Sequence, residues 1–269
     1  MRRVILVAAL ALLAVPSFAA LEYEFIQRNS SDDSAVPGTD LTARVVVDGA
    51  RSRVDFLSGT LYPPGTYVVS TDDARRLYFV DPARQWYTEV NTAGVASALG
   101  ASTIKIENLK SNLEKLGSGP MVAGIATDHY RLTLNYDISV TLRSLPLRQR
   151  VRTEIDSYTT TLYGSVQQLA LAQAYRTGNA ELDRLLEAEN TKIPGFPLRQ
   201  SVTIKTNYDR ASRSKIEMPA SRTISREMWV TKIGETEARA SQFIVPVGFR
   251  RADQPELPKA ATTLEFDPN

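Results

Sequence analysis

The chain has 269 residues, with 32 Lys and Arg against 30 Asp and Glu, one histidine and no cysteine. The absence of cysteine excludes disulfides, thiolate nucleophiles, thiolate metal ligands and a lipid anchor of the lipoprotein type, so a packed core must supply the stability. Near-neutral, scattered charge gives no reason to expect nucleic acid as a partner, and beyond the N-terminus no apolar run approaches the ~20 residues of a membrane-spanning helix.

Met1-Arg2-Arg3 is a short basic start, Val4 to Val15 an unbroken apolar run, and Pro16-Ser17-Phe18-Ala19 ends it with small residues at the −3 and −1 positions of a cleavage site. This layout predicts a secretory signal peptide over 1–19, because the run is short for a bilayer anchor and closes on a cleavable tripeptide. Cleavage near Ala19 starts the mature chain at Ala20 and places it in the periplasm or outside the cell. Arg2 and Arg3 leave with the signal, so 30 basic residues then balance 30 acidic ones.

From there the pattern has period two. Strands are predicted near Glu22–Gln27, Leu41–Val47, Arg51–Leu57, Thr66–Val69, Leu77–Val80 and Gln85–Val90, punctuated by Asp48-Gly49, Pro63-Pro64-Gly65, Asp72-Asp73 and Asp81-Pro82. Asn29 to Gly38 reads as a polar loop, and a short helix is expected around Ala93–Leu99. A strand opens at Ile104 and Ile106 and runs towards Leu116. In the clearest segment, Tyr130, Leu132, Leu134, Tyr136, Ile138, Val140 and Leu142 alternate with polar residues, as in a long strand with one buried face. A turn at Ser144-Leu145-Pro146 leads into a pairing strand with Leu147, Val151 and Ile155 on one side and Arg148, Arg150, Arg152, Glu154 and Asp156 on the other.

Ser165 to Lys192 breaks the period. Val166, Leu169, Tyr175, Leu182, Leu185 and Leu186 have helical spacing, and Gly178-Asn179 divides the segment into two short helices, the second ending before Pro194-Gly195. Strands resume at Arg199–Asn207, Thr223–Lys232 and Ala238–Val245. The expected fold is mainly β (α+β): one domain over 20–269, a curved antiparallel sheet or half-open β-barrel wrapped around a few short helices, with a helical insertion at about 165–192.

Little in this pattern carries chemistry. His129 stands on the polar face of the long strand beside Asp128 and reads as a half-exposed strand histidine, since a catalytic dyad or a metal site needs partners that the sequence does not signal. No phosphate loop, dinucleotide fingerprint, nucleophile elbow or zinc-protease motif is present, and no cofactor is expected. Arg148, Arg150 and Arg152 form a basic stripe that suits phosphate head groups or an acidic partner, or else is a solvated face neutralised by Asp137, Glu154 and Asp156. Tyr67, Tyr78, Phe79, Trp86 and Tyr87 cluster in consecutive short strands, either filling the core or lining an apolar cavity.

Three stretches resemble a known superfamily. Gly65-Thr66-Tyr67-Val68-Val69-Ser70 with Leu77-Tyr78-Phe79-Val80-Asp81 and Gln85-Trp86-Tyr87 is similar to the repeating hairpins of the periplasmic lipoprotein-carrier-like (LolA-like) superfamily. Val122-Ala123-Gly124 with His129-Tyr130-Arg131-Leu132, then Met228-Trp229-Val230-Thr231 and Phe243-Ile244-Val245-Pro246-Val247-Gly248-Phe249, resemble uncharacterised secreted domains grouped near it. The resemblance implies a half-open antiparallel barrel around helices, often with an apolar cavity that takes acyl chains in the carriers. The chain departs from the carriers by starting on a strand and by its insertion at 145–200. Two non-enzymatic readings stand. One is an exported soluble protein holding a lipid or acyl chain, with Tyr78, Trp86, Tyr130, Leu132, Leu134, Tyr136 and Ile138 as cavity candidates. The other is an envelope interaction module that docks on another protein.

Overall fold

In a computed structural model, residues 20–34, 37–71, 76–89, 101–142, 145–163, 180–209 and 220–252 are described. They form β1 (Ala20–Ser31), β2 (Thr39–Asp48), β3 (Arg51–Gly59), β4 (Tyr67–Ser70), β5 (Tyr78–Asp81), β6 (Trp86–Glu89), β7 (Ala101–Ser118), β8 (Asp128–Leu142), β9 (Leu145–Thr160), α1 (Ala180–Asn190), β10 (Phe196–Tyr208), β11 (Ser221–Thr236) and β12 (Arg250–Arg251). All strands belong to one sheet in the order β12-β6-β5-β4-β3-β2-β1-β11-β10-β9-β8-β7. The sheet is curved and does not close.

The order records two meanders. β1 to β6 step outward from the middle of the sheet, and β7 to β11 step back from the opposite edge until β11 pairs with β1. Tight turns make the steps. Between β2 and β3 only Gly49 and Ala50 intervene, and Gly49 takes φ +58°, the left-handed value that the first central residue of such a hairpin demands. At the other end of β3, Gly59 has φ +123°, and a Cβ there would lie 2.3 Å from the Asp40 carbonyl oxygen. Gly59→Ala is therefore expected to destabilise the β2–β3 hairpin through a clash with backbone, read as a lower melting temperature than that of Gly49→Asn.

All the predicted strands but Ala238–Val245 are present, mostly longer than their apolar cores suggest, and the β8–β9 hairpin has unbroken register from Asp128–Thr159 to Leu142–Leu145. Three expectations need correction. Asn29 to Ser31 are strand and not loop, because Asn29 pairs with Thr39 on one side and Arg226 on the other. Leu145 and Pro146 already lie in β9. Ala238–Val245 is not a strand. Ala240–Phe243 forms a 3₁₀ turn, where the Gln242 side chain accepts the Arg239 N–H at 2.8 Å and Phe243 is buried. The second half of the predicted helical insertion appears as α1, while its first half, the helix near 93–99 and the segment 1–19 lie outside the described residues.

Side chains alternate between two faces. The inner face carries two large apolar clusters. One gathers Tyr23, Phe25, Val45, Phe56, Phe79, Phe196 and Met228 among others, the second Leu132, Leu134, Tyr136, Val151, Ile155, Ile193 and Val202. On the outer face the chain after β11 runs back as a strap: Phe243 packs on Ala20 and Val46, and Val245 and Phe249 on the Tyr67–Val69–Val80 cluster. β12 then pairs in parallel with β6.

α1 is tied down at its C-terminal end. Ile193 just beyond it joins the second cluster, and Glu189 is bonded to Lys192 and to the Ser111 hydroxyl of β7. Burial opposes the Glu189 charge, but the bonds from Lys192 and Ser111 outweigh it and hold the carboxyl below its usual range. A depressed folded-state pKa stabilises above the unfolded value of ~4.3 and is lost as pH falls through the folded value. Glu189→Gln is therefore expected to lower the melting temperature at pH 7 and to match the wild type well below pH 4. A gap that stays constant across that range would contradict this.

Candidate functional site: the inner face of the sheet

The inner face is apolar on both sides of a polar seam. Across it, register aligns Ser157 of β9, Gln200 of β10, Met228 of β11 and Gln27 of β1 in one row, and Val202, Arg226 and Asn29 in the next. Ser157 and Gln200 are buried, and the Gln200 amide donates to the Ser157 hydroxyl at 3.0 Å. The Gln27 amide donates to Asn29 Oδ1 at 3.3 Å, and Arg226 Nε donates to the same oxygen at 3.2 Å. Asn29 Nδ2 in turn donates to Thr39 Oγ1 at 2.8 Å, which fixes the amide's orientation. Buried polar groups require such partners, so the seam is an organised network within the apolar face.

Around the buried centres lies a rim of half-buried aromatic and aliphatic side chains. Tyr62 stacks on Phe56 with ring centroids 4.1 Å apart, Trp86 leans on Phe79 at 5.8 Å, and Tyr163 meets Phe196 edge-on. Burial pushes the phenols of Tyr23, Tyr62 and Tyr136 above their ordinary range, so all three are neutral hydroxyls at physiological pH.

The sequence candidates for an apolar site divide. Leu132, Leu134 and Tyr136 are buried in the second cluster, with Tyr130 and Ile138 half-buried against it. Trp86 belongs to the rim of the first cluster on the same face. Tyr78 does not join them: it pairs with Val69, and its ring meets Tyr87 at 6.1 Å on the outer face, under the strap. Adjacent strand positions point to opposite sides, and Tyr78 is one residue from the inner-facing Phe79. Sequence reasoning missed the seam. Its signal was a cation in an otherwise apolar alternation, Ile224-x-Arg226-x-Met228-x-Val230.

The polar candidates lie on the outer face. Arg148, Arg150 and Arg152 are exposed there. Arg150 meets Asp137 and Arg152 meets Glu154, each at 3.4 Å, so much of the stripe is neutralised by its own sheet. His129 Nε2 lies 2.7 Å from Asp156 Oδ1, and its ring stacks on Tyr158 at 4.4 Å. Asp156 also accepts two bonds from Arg131, at 3.0 and 3.2 Å. This arrangement holds the imidazole in place between a carboxylate and a ring. A polar cleft of about 390 Å³ opens where β1, β2 and β11 end, lined by Arg28, Asp40, Thr60 and Glu227 among others. The free edge strand β7 has three register irregularities along its pairing with β8, which blunts it as a template for strand addition. Among the described residues no three His, Asp or Glu side chains gather as a metal site, and no helix is long and apolar enough to cross a membrane.

No protein-family model and no curated protein matches the chain. Among solved structures it is similar to a LolA superfamily protein from Nitrosomonas europaea, at 9% sequence identity over 85% of this chain and 91% of that one, with a TM-score of 0.31. An overlap that loose decides nothing about the site, and the assignment of a curved, open, mainly β fold rests on the strand order and register above.

Proposed function

We propose that the protein is exported and holds an apolar ligand, a lipid or acyl chain, against the inner face, without catalysing a reaction. The observation that carries this reading is an unclosed sheet with one largely apolar face, whose buried centres are ringed by half-buried aromatics. Apolar area of that kind gains about 25 cal/mol per Å² when water leaves it, and an acyl chain supplies matching area. Export rests on the basic, apolar and small-residue order of 1–19.

Native mass spectrometry of the purified mature protein tests the reading directly, with co-purified lipid as the expected result. In solution, a fluorescent fatty acid should quench tryptophan emission saturably. Trp229 lies on the outer face under the Arg28 guanidinium, so a Trp229→Phe background isolates the signal of Trp86. Trp86→Ala should then weaken binding more than it lowers the melting temperature. A clean apo mass together with no saturable quenching overturns the reading.

A further inference from the structure

The polar cleft on the outer face holds a row of charges that do not neutralise one another. Arg28 of β1 is the register partner of Asp40 on β2 and of Glu227 on β11. Directly opposed residues share a face, and Arg28 lies on the outer one, over Trp229. The three therefore stand side by side on neighbouring strands, about 4.8 Å apart, in the order minus, plus, minus. All three are exposed, and all line the cleft of about 390 Å³. Opposite charges in such cross-strand pairs ordinarily meet, as Arg150 and Asp137 do elsewhere on this face. Among the described residues, none of Arg28, Asp40 and Glu227 forms an ion pair. The reasons are local. Arg28 lies 5.1 Å over the Trp229 ring, which occupies the face of the guanidinium and leaves the N–H donors at its edge free. Asp40 Oδ1 accepts the Thr60 N–H and hydroxyl, each at 3.0 Å, which fixes the carboxylate and leaves Oδ2 without a partner. The Glu227 carboxylate accepts no bond from the described residues. In the next outward row Ser30 opposes Ser225, and both add hydroxyls to the cleft.

We propose that this cleft binds a basic amino acid, a ligand with one carboxylate and two cationic groups. The carboxylate takes the edge of the Arg28 guanidinium, and the α-ammonium and the side-chain cation take the Asp40 and Glu227 carboxylates, with the serine hydroxyls accepting the remaining N–H groups. The ligand's single net positive charge balances the single net negative charge of the row. A cleft of this volume is in the range of small-molecule sites. It lies on the face opposite the apolar clusters, so the proposal stands independently of the apolar-ligand reading.

The test titrates three probes into the protein at neutral pH and low salt. L-lysine carries all three charges, L-norleucine lacks the side-chain ammonium, and 1,5-diaminopentane lacks the carboxylate. Calorimetry should show saturable lysine binding, at least about tenfold tighter than that of either analogue, a ratio worth ~1.4 kcal/mol. The chain has two tryptophans, so a Trp86→Phe background isolates Trp229, whose emission should change as the ligand carboxylate draws Arg28 from its ring. Glu227→Gln should bring lysine towards the affinity of norleucine, Arg28→Gln should bring it towards that of diaminopentane, and Arg150→Gln should change nothing. Melting curves check that each variant folds, and the wild-type ranking tests the proposal even where a variant does not. Equal affinity for the three probes, or no saturable binding of lysine at millimolar concentration, overturns it.

Discussion

Leu134→Asp is expected to remove most of the stability of the fold, while Thr133→Asp, one residue away, is tolerated. Leu134 is 1% exposed at the centre of β8, between Ser111 of β7 and Thr153 of β9. Deleting a buried leucine side chain already costs about 2–5 kcal/mol. An aspartate adds the cost of removing a charge from water, several kcal/mol, against a total of roughly 5–15 kcal/mol for a typical domain. The group can reduce that cost only by taking up a proton, so its carboxyl is pushed up. The sign follows: the penalty is smallest below the unfolded aspartate value of ~3.9 and grows as pH rises above it. Thr133 faces outward opposite Glu154, so an aspartate there meets at most a cross-strand repulsion of about 1 kcal/mol. Urea denaturation at pH 4.5 and pH 8 checks both points. Equal midpoints for the two variants, or a Leu134→Asp penalty independent of pH, would mean that β8 does not present this face to the core.

How much was legible in advance depends on the range of the interactions that fix each element. The β8–β9 hairpin was readable because its alternation, its turn and its opposite face are all local. The second helix was readable to within its cap, since Pro194-Gly195 stops it in the sequence itself. The inward set Leu132, Leu134 and Tyr136 followed from period two alone. Tyr78 was misplaced beside Trp86 because short strands of four residues give too few positions to fix which parity faces inward. The pairing of β1 with β11 joins residues about two hundred positions apart, and nothing local announces it. The Arg226 seam exists only because of that pairing. The strap failed as a strand prediction for a similar reason: its apolar residues are buried by β1, β2 and the β4–β6 hairpins and not by a neighbouring strand along their length.

That strap carries the second large effect. Phe243→Ala is expected to cost about 3–5 kcal/mol, the range for an aromatic lost from a closed site. Phe243 is fully buried between Ala20 and Val46, the Arg51 guanidinium lies 5.2 Å over its ring, and Arg53 donates to the neighbouring Gln242 carbonyl at 3.1 Å. The consequence should extend beyond the cavity. Downstream, the Arg250 N–H bonds to the Gln85 carbonyl at 3.0 Å and the Ala252 N–H to the Tyr87 carbonyl at 2.8 Å, covering the edge of β6. With Phe243 gone, the strap loses its one fully buried anchor and keeps the Arg53–Gln242 bond, Ala238, Val245, Phe249 and this two-residue pairing, so it should open more often and leave both the edge and the Tyr67–Tyr78–Tyr87 surface to water. An unpaired edge beside apolar surface is a template for association. Hydrogen exchange at Arg250 and Ala252 should therefore speed up in Phe243→Ala even far below its melting temperature, and light scattering should rise with concentration. Val247→Ala is the control, since Val247 is 99% exposed at the tip of the same strap and should leave stability and exchange unchanged. Unaltered exchange at 250–252 in a folded Phe243→Ala protein would show that β12 holds the β6 edge without help from the ring.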